Sequence, residues 1–191
     1  MKHNVLVVSD EIHSDFTWPG HEHHVFANLD PKYAEISITC TAPSKTFNLA
    51  GLQTSNIFIP NRTLRKTFKK AIDQTGYSQL NTLGLVACQA AYEEGEPWLT
   101  ELKKYLLENL DFSRDYIERN LPGVHLIEPE GTYLIWLDFR DLRLPEEKLE
   151  HLITKEAKLW LDSGAIFGSD GEGFERINIC LLYTSDAADE E

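Results

Sequence analysis

A chain of 191 residues can bury a substantial core, and one or two domains is the expectation at about 100–200 residues each. Its net charge of −13, from 18 Lys and Arg against 31 Asp and Glu, argues against nucleic acid, which needs clustered cations along the backbone. The acidic residues are spread over a solvated surface, no apolar run reaches membrane length and no signal peptide is seen. Cys40, Cys88 and Cys180 show no metal spacing, so a reducing cytoplasm is the expected compartment.

In chain order, the apolar β-branched runs Val5-Leu6-Val7-Val8 and Ile36-Ser37-Ile38-Thr39 predict two buried strands of parallel type. Leu64, Phe68, Ala71 and Ile72 recur at helical spacing and predict a helix over 64–75 that stops at Gly76. A second helix is expected from Leu80 to Glu94, with Gly95 as its stop. Pro97 opens a third, whose stripe of Trp98, Leu102, Tyr105, Leu106 and Leu110 continues to Asn120 before Pro122-Gly123. Strands follow at Val124–Ile127 and Thr132–Asp138 around a turn at Glu128-Pro129-Glu130-Gly131. A helix over 145–159 and a strand over 176–179 complete the pattern. Two parallel-type strands, a helical middle and an α+β end make this an α/β chain.

Two residues stand where the first two strands end. Asp10 follows the first run in Ser9-Asp10-Glu11-Ile12-His13-Ser14-Asp15. Lys45 follows the second in Thr41-Ala42-Pro43-Ser44-Lys45-Thr46-Phe47-Asn48-Leu49-Ala50-Gly51-Leu52. The carboxyl ends of strands are where open α/β sheets bind ligands. A lysine amine that condenses with an aldehyde and an acid that holds a ring nitrogen are the protein groups pyridoxal 5′-phosphate requires. Taken singly, Lys45 reads as a surface charge and Asp10 as a turn or capping aspartate.

These two segments, with Glu128-Pro129-Glu130-Gly131-Thr132-Tyr133 to Asp138 behind them, resemble the PatB/MalY class of cysteine-S-conjugate β-lyases. These are cystathionine β-lyase-type enzymes within the class I/II aminotransferase fold, and the resemblance runs from about Asn4 to Ile179. It implies the C-terminal half of a cofactor-binding large domain at 1–110, with a mixed, mostly parallel sheet. A small α+β domain would follow at 111–180, and an acidic, foreign-looking tail at 181–191. The family is about twice as long, which implies a fragment clipped at both ends. Pyridoxal phosphate is the implied cofactor. Lys45 would hold it and take the proton from the substrate α-carbon, Asp10 would pair with its ring nitrogen, His13 would lie near the ring or its phenolic oxygen, and Ser44 would bind its phosphate. Asp15 belongs to the same block without an assigned role. Gln53 stands where many aminotransferases carry a phosphate-binding arginine. Tyr183 stands where the family grips the substrate carboxylate with an arginine, and a tyrosine lacks that charged fork.

The implied reaction is cleavage of cystathionine or another cysteine S-conjugate, a small amino-acid substrate, to a thiol, pyruvate and ammonia. Transamination is the first alternative and a non-catalytic regulatory role of the MalY type the second, while the clipped chain itself is expected to be inactive. The intact parent is expected to be a homodimer that binds neither nucleic acid nor membrane. The remaining motifs read plainly. His21, His23 and His24 form a solvated loop, Gly168 to Gly173 a flexible turn, and Trp98, Trp136 and Trp160 core. Trp18 lies near a site entrance or a subunit contact.

Overall fold

The computed structural model describes residues 2–3, 5–77 and 79–180; the expected acidic tail 181–191, including Tyr183, lies outside the described residues. The chain divides into two compact units, Met1–Glu101 and Leu102–Glu191. The division falls inside a long helix, which also contains the expected boundary near residue 110.

The first unit is an α/β arrangement around a three-stranded sheet of order β1-β2-β3. Strand β1 (Val7–Asp10) is followed by the short helix α1 (Pro31–Ala34), strand β2 (Ser37–Thr41), the one-turn helix α2 (Pro43–Thr46) and strand β3 (Asn56–Phe58). The expected parallel pair forms, with Val8 opposite Ile38 and Asp10 opposite Cys40. Each strand runs two residues beyond its apolar run, because the ladder continues until Glu11 N donates to Cys40 O at 2.9 Å. Strand β3 adds antiparallel to β2 and gives the sequence no signal, being three residues long. Ile38 is buried, while Val8 and Ile57 on the same sheet face are 63% and 41% exposed, so this face is only partly covered by the described residues.

Helices α3 (Arg62–Gln74) and α4 (Thr82–Glu94) start at positions set by asparagine caps rather than by the apolar stripe. Asn61 accepts from Thr63 N and Leu64 N, and Asn81 accepts from Leu83 N, satisfying amides that the first turn leaves without partners. Helix α5 (Glu96–Asn120) follows at once, and Gly95 is required at the junction. A Cβ built there would overlap the Phe47 ring and the Ala91 carbonyl.

The second unit holds an antiparallel sheet of order β4-β5-β7-β6, from β4 (His125–Ile127), β5 (Leu134–Asp138), β6 (Asp162–Ser163) and β7 (Phe174–Asn178). Its core joins Leu106, Leu110 and Ile117 of α5 to Ile135 and Leu137 of β5, with Leu149, Ile153 and Phe174. Arg114 of α5 grips both carboxylate oxygens of Glu128 and also Asp111, which fixes the expected turn before Gly131. Asn109 Nδ2 donates to Ile179 O at 2.8 Å and ties the end of β7 to the same helix.

The helix expected over 145–159 is shorter. It forms as α6 (Glu146–His151), passes through a wider π turn at Leu152–Glu156, and ends before Lys158 with φ 55°. Its periodicity therefore stops short of Trp160, which is 94% exposed rather than core. Trp98 is half-exposed and packs on Phe47 at 5.8 Å, while Trp136 stacks on Phe174 at 5.5 Å. No helix among the described residues is long and apolar enough to cross a membrane.

Candidate active site

The carboxyl edge of the β1–β2 pair gathers the residues singled out in the sequence. Asp10 is the last residue of β1, on the sheet face that carries Cys40. Its Oδ1 accepts from Ile12 N at 3.3 Å, a local turn that leads the chain off the strand. The Cys40 thiol is pushed up by burial and further by the charge of Asp10, so the carboxylate acts across the strand end. From β2 the chain passes through extended Ala42 into α2, with Pro43 at the first helical position, where a missing N–H costs nothing. Pro43 and Thr46 are buried, Ser44 is partly buried, and Lys45 is exposed on the other side of the turn. Phe47 N donates to Pro43 O at 2.8 Å and Leu49 N to Ser44 O at 3.0 Å, closing the turn around Lys45. Behind it Phe47 meets the Tyr92 and Trp98 rings at 6.3 Å and 5.8 Å.

His13 lies in the turn after β1, partly buried, and its carbonyl accepts from Phe16 N at 3.1 Å. Gln53 is exposed and caps the turn Ala50–Leu52 in the left-handed region, φ 53°. Trp18, open between an entrance and a contact in the sequence, is 5% exposed and belongs to the core of the first unit.

Two residues escaped the sequence reading. Glu11 is buried and accepts from Ser9 Oγ at 2.9 Å and from Phe26 N at 3.3 Å, and it bonds His23 Nε2 at 2.9 Å. His23 is thus a clamp on the loop that follows Asp10, not a solvated histidine. Burial pushes the Glu11 carboxyl up, but the bonds from His23, Ser9 and Phe26 together outweigh it and hold the group below its usual range. Its contribution to stability is therefore present above the ordinary carboxylate range and is lost as pH falls through the lowered value. Glu11→Ala leaves a partly buried amide and hydroxyl without their acceptor, and is expected to cost about 1–3 kcal/mol at neutral pH in urea unfolding, with a smaller difference near pH 4.

The donor set fits pyridoxal 5′-phosphate. Asp10 offers a carboxylate to a protonated ring nitrogen, Ser44 a hydroxyl to phosphate, and Lys45 an exposed amine to the aldehyde, all at one sheet edge. The model of the aminotransferase class I and II family matches residues 1–188.

The chain belongs to the class I and II aminotransferase family.

This aminotransferase-family chain is 44% identical over 185 residues to cystathionine beta-lyase PatB of Bacillus subtilis, a match that takes in 96% of the chain and 48% of PatB. It superposes on cystalysin of Treponema denticola, whose crystal structure contains pyridoxal 5′-phosphate, with a TM-score of 0.88 and 43% identity, covering 92% of this chain and 44% of that one. The pyridoxal phosphate-bound C-S lyase of Staphylococcus hominis gives 0.83 and 37%, covering 94% and 44%. The chain spans about half the length of the relatives it matches.

Proposed function

We propose that this chain is the cofactor-holding part of a pyridoxal phosphate-dependent carbon–sulfur β-lyase. The whole protein would cleave cystathionine or other cysteine S-conjugates to a thiol, pyruvate and ammonia. The observation that carries this reading is that Asp10 ends β1 opposite Cys40 of β2, and that Ser44 and Lys45 lie on the turn that directly follows β2. Likeness to cystathionine beta-lyase PatB and to the pyridoxal phosphate-bound C-S lyase structure supports the reaction class.

Asp10 would hold the ring nitrogen protonated by charge attraction, and Ser44 Oγ would donate to the phosphate. Lys45 Nζ would bind the aldehyde, be freed when the substrate amine takes its place, and then remove the α-proton. When bound, the cofactor supplies the electron sink for the charge left at the α-carbon. Expulsion of the β-thiolate with its bonding pair then completes the elimination. His13 would line the ring side of the site. Residues 1–110 would form half of the cofactor domain and 111–180 the small domain, in a parent that is a cytoplasmic homodimer. In this chain Cys40, Cys88 and Cys180 are free thiols.

The test is pyruvate and ammonia release from cystathionine by the full-length parent loaded with pyridoxal phosphate, without a keto acid. Equal release of both is expected. The family match to aminotransferases favours transamination as the second reading, and turnover that requires a keto acid and yields no pyruvate would put it in place of the lyase.

A further inference from the structure

Helix α2 is a single turn of four residues, too short to hold its shape alone, and Ala42 before it supplies no side-chain cap. Its apolar side is held by buried Pro43 and by the ring cluster around Phe47. Its polar side is held differently. Thr46, adjacent to Lys45 and 1% exposed, donates its hydroxyl to Asp15 Oδ2 at 2.6 Å, the length of a charge-assisted bond. Asp15 is two residues beyond His13, on the turn that leaves β1 at Asp10, and 31 residues before Thr46 in the chain. One bond thus ties the segment bearing Asp10 and His13 to the segment bearing Ser44 and Lys45. A ligand gripped at two points, ring nitrogen by one segment and aldehyde by the other, needs these segments fixed against each other within a fraction of an ångström.

We infer that Asp15 is a positioning residue: through Thr46 Oγ1 it latches the Lys45 turn to the loop that follows Asp10. This rests on the reading of Lys45 as the cofactor lysine, though the latch itself needs no cofactor to be seen.

The experiment uses the chain as it stands, in four variants: Asp15→Ala, Thr46→Val, both together, and Thr46→Ser. Amide hydrogen exchange at Phe47 and Leu49 reports opening of the turn, and the rate of Lys45 acetylation, resolved by peptide mass spectrometry, reports its orientation, with Lys66 of α3 as internal reference. Asp15→Ala and Thr46→Val should each speed exchange at both amides by about 10- to 100-fold and change Lys45 labelling without changing Lys66. Thr46→Val should add nothing in the Asp15→Ala background, and Thr46→Ser should stay within about 3-fold of the parent chain. Unchanged exchange in Asp15→Ala, or an equal Thr46→Val effect in both backgrounds, overturns the latch. Asp15 lies at the surface, so its alanine variant keeps the test alive if Thr46→Val does not fold. A parallel arm adds pyridoxal 5′-phosphate and borohydride and measures pyridoxyl transfer to Lys45, which should fall about 10-fold or more in both single variants. No transfer in the parent chain counts against the cofactor reading and leaves the latch to be judged by exchange alone.

Discussion

Lys45→Ala in the full-length parent is expected to abolish the borohydride-reducible pyridoxyl adduct on the peptide spanning residues 41–52. It should also lower pyruvate release from cystathionine by at least about 10²- to 10⁴-fold, the usual worth of a positioned general base. The loss should exceed that figure, because on the proposed reading the same amine would also anchor the aldehyde. Lys45 is singled out by place rather than by chemistry alone. It sits on the turn directly after β2, on the strand edge where Asp10 ends β1, whereas Lys66, Lys69 and Lys70 lie on the exposed surface of α3. Lys66→Ala is the matched control and should leave both readouts within about 2-fold, since surface substitutions away from special features are nearly neutral. Exogenous primary amines should restore part of the proton transfer in Lys45→Ala while leaving the adduct absent, separating the two roles. An adduct of undiminished yield in Lys45→Ala would move the cofactor to another lysine and remove the argument from the β1–β2 edge.

That edge was legible in the sequence because two β-branched runs are each followed, within two and six residues, by a residue whose chemistry is rare in packing, Asp10 and Lys45. Parity and periodicity carried no such information for the contacts that support it. Glu11 and His23 are 12 residues apart on a loop, and Asp15 and Thr46 are 31 apart, so neither pair falls within the reach of a helix or strand period. The missed strands are those too short to show alternation: β3 has three residues and β6 two. Asn61 and Asn81, in contrast, carried a readable signal, an asparagine before each apolar-periodic run, and the true helix starts follow from it. Trp160 shows the opposite failure. Its apolar neighbours in the sequence assigned the side chain to a core, but the backbone turns at Lys158 and leaves Trp160 94% exposed. In β7, strict alternation sets Glu175 and Ile177 on one face, opposite Leu137 and Ile135 of β5, and so directs a carboxyl inward.

The consequence of that inward carboxyl is measurable as a pH dependence. Glu175 is 2% exposed, and among the described residues no cation pairs with it; Lys155 lines the same cavity, and Arg176, its neighbour in β7, is paired with Asp162 at 2.7 Å on the other side of the strand. The charges that act on it are acidic. Glu146 of α6 accepts from Ser163 Oγ at 2.8 Å and Gly173 N at 3.0 Å, and Glu150 and Asp162 stand beyond. Burial, followed by the charges of Glu146, Glu150 and Asp162, raises the Glu175 carboxyl from 4.5 to about 7. The folded chain therefore holds a proton that the unfolded chain has released. The contribution of Glu175 to stability is greatest below pH 4.5, falls as pH rises toward 7, and is lower and flat above it. At about 1.4 kcal/mol per pH unit, the cost at pH 8 is capped near 3 kcal/mol, and solvent relaxation around the site brings it to about 1–3. Glu175→Gln keeps the shape and removes the charge. Urea unfolding of the two proteins should nearly coincide at pH 5, and at pH 8 the glutamine variant should be the more stable by that amount. Parallel profiles from pH 5 to pH 8 would mean that the folded chain leaves Glu175 an ordinary carboxyl, with water reaching it in spite of its place between β5 and β6.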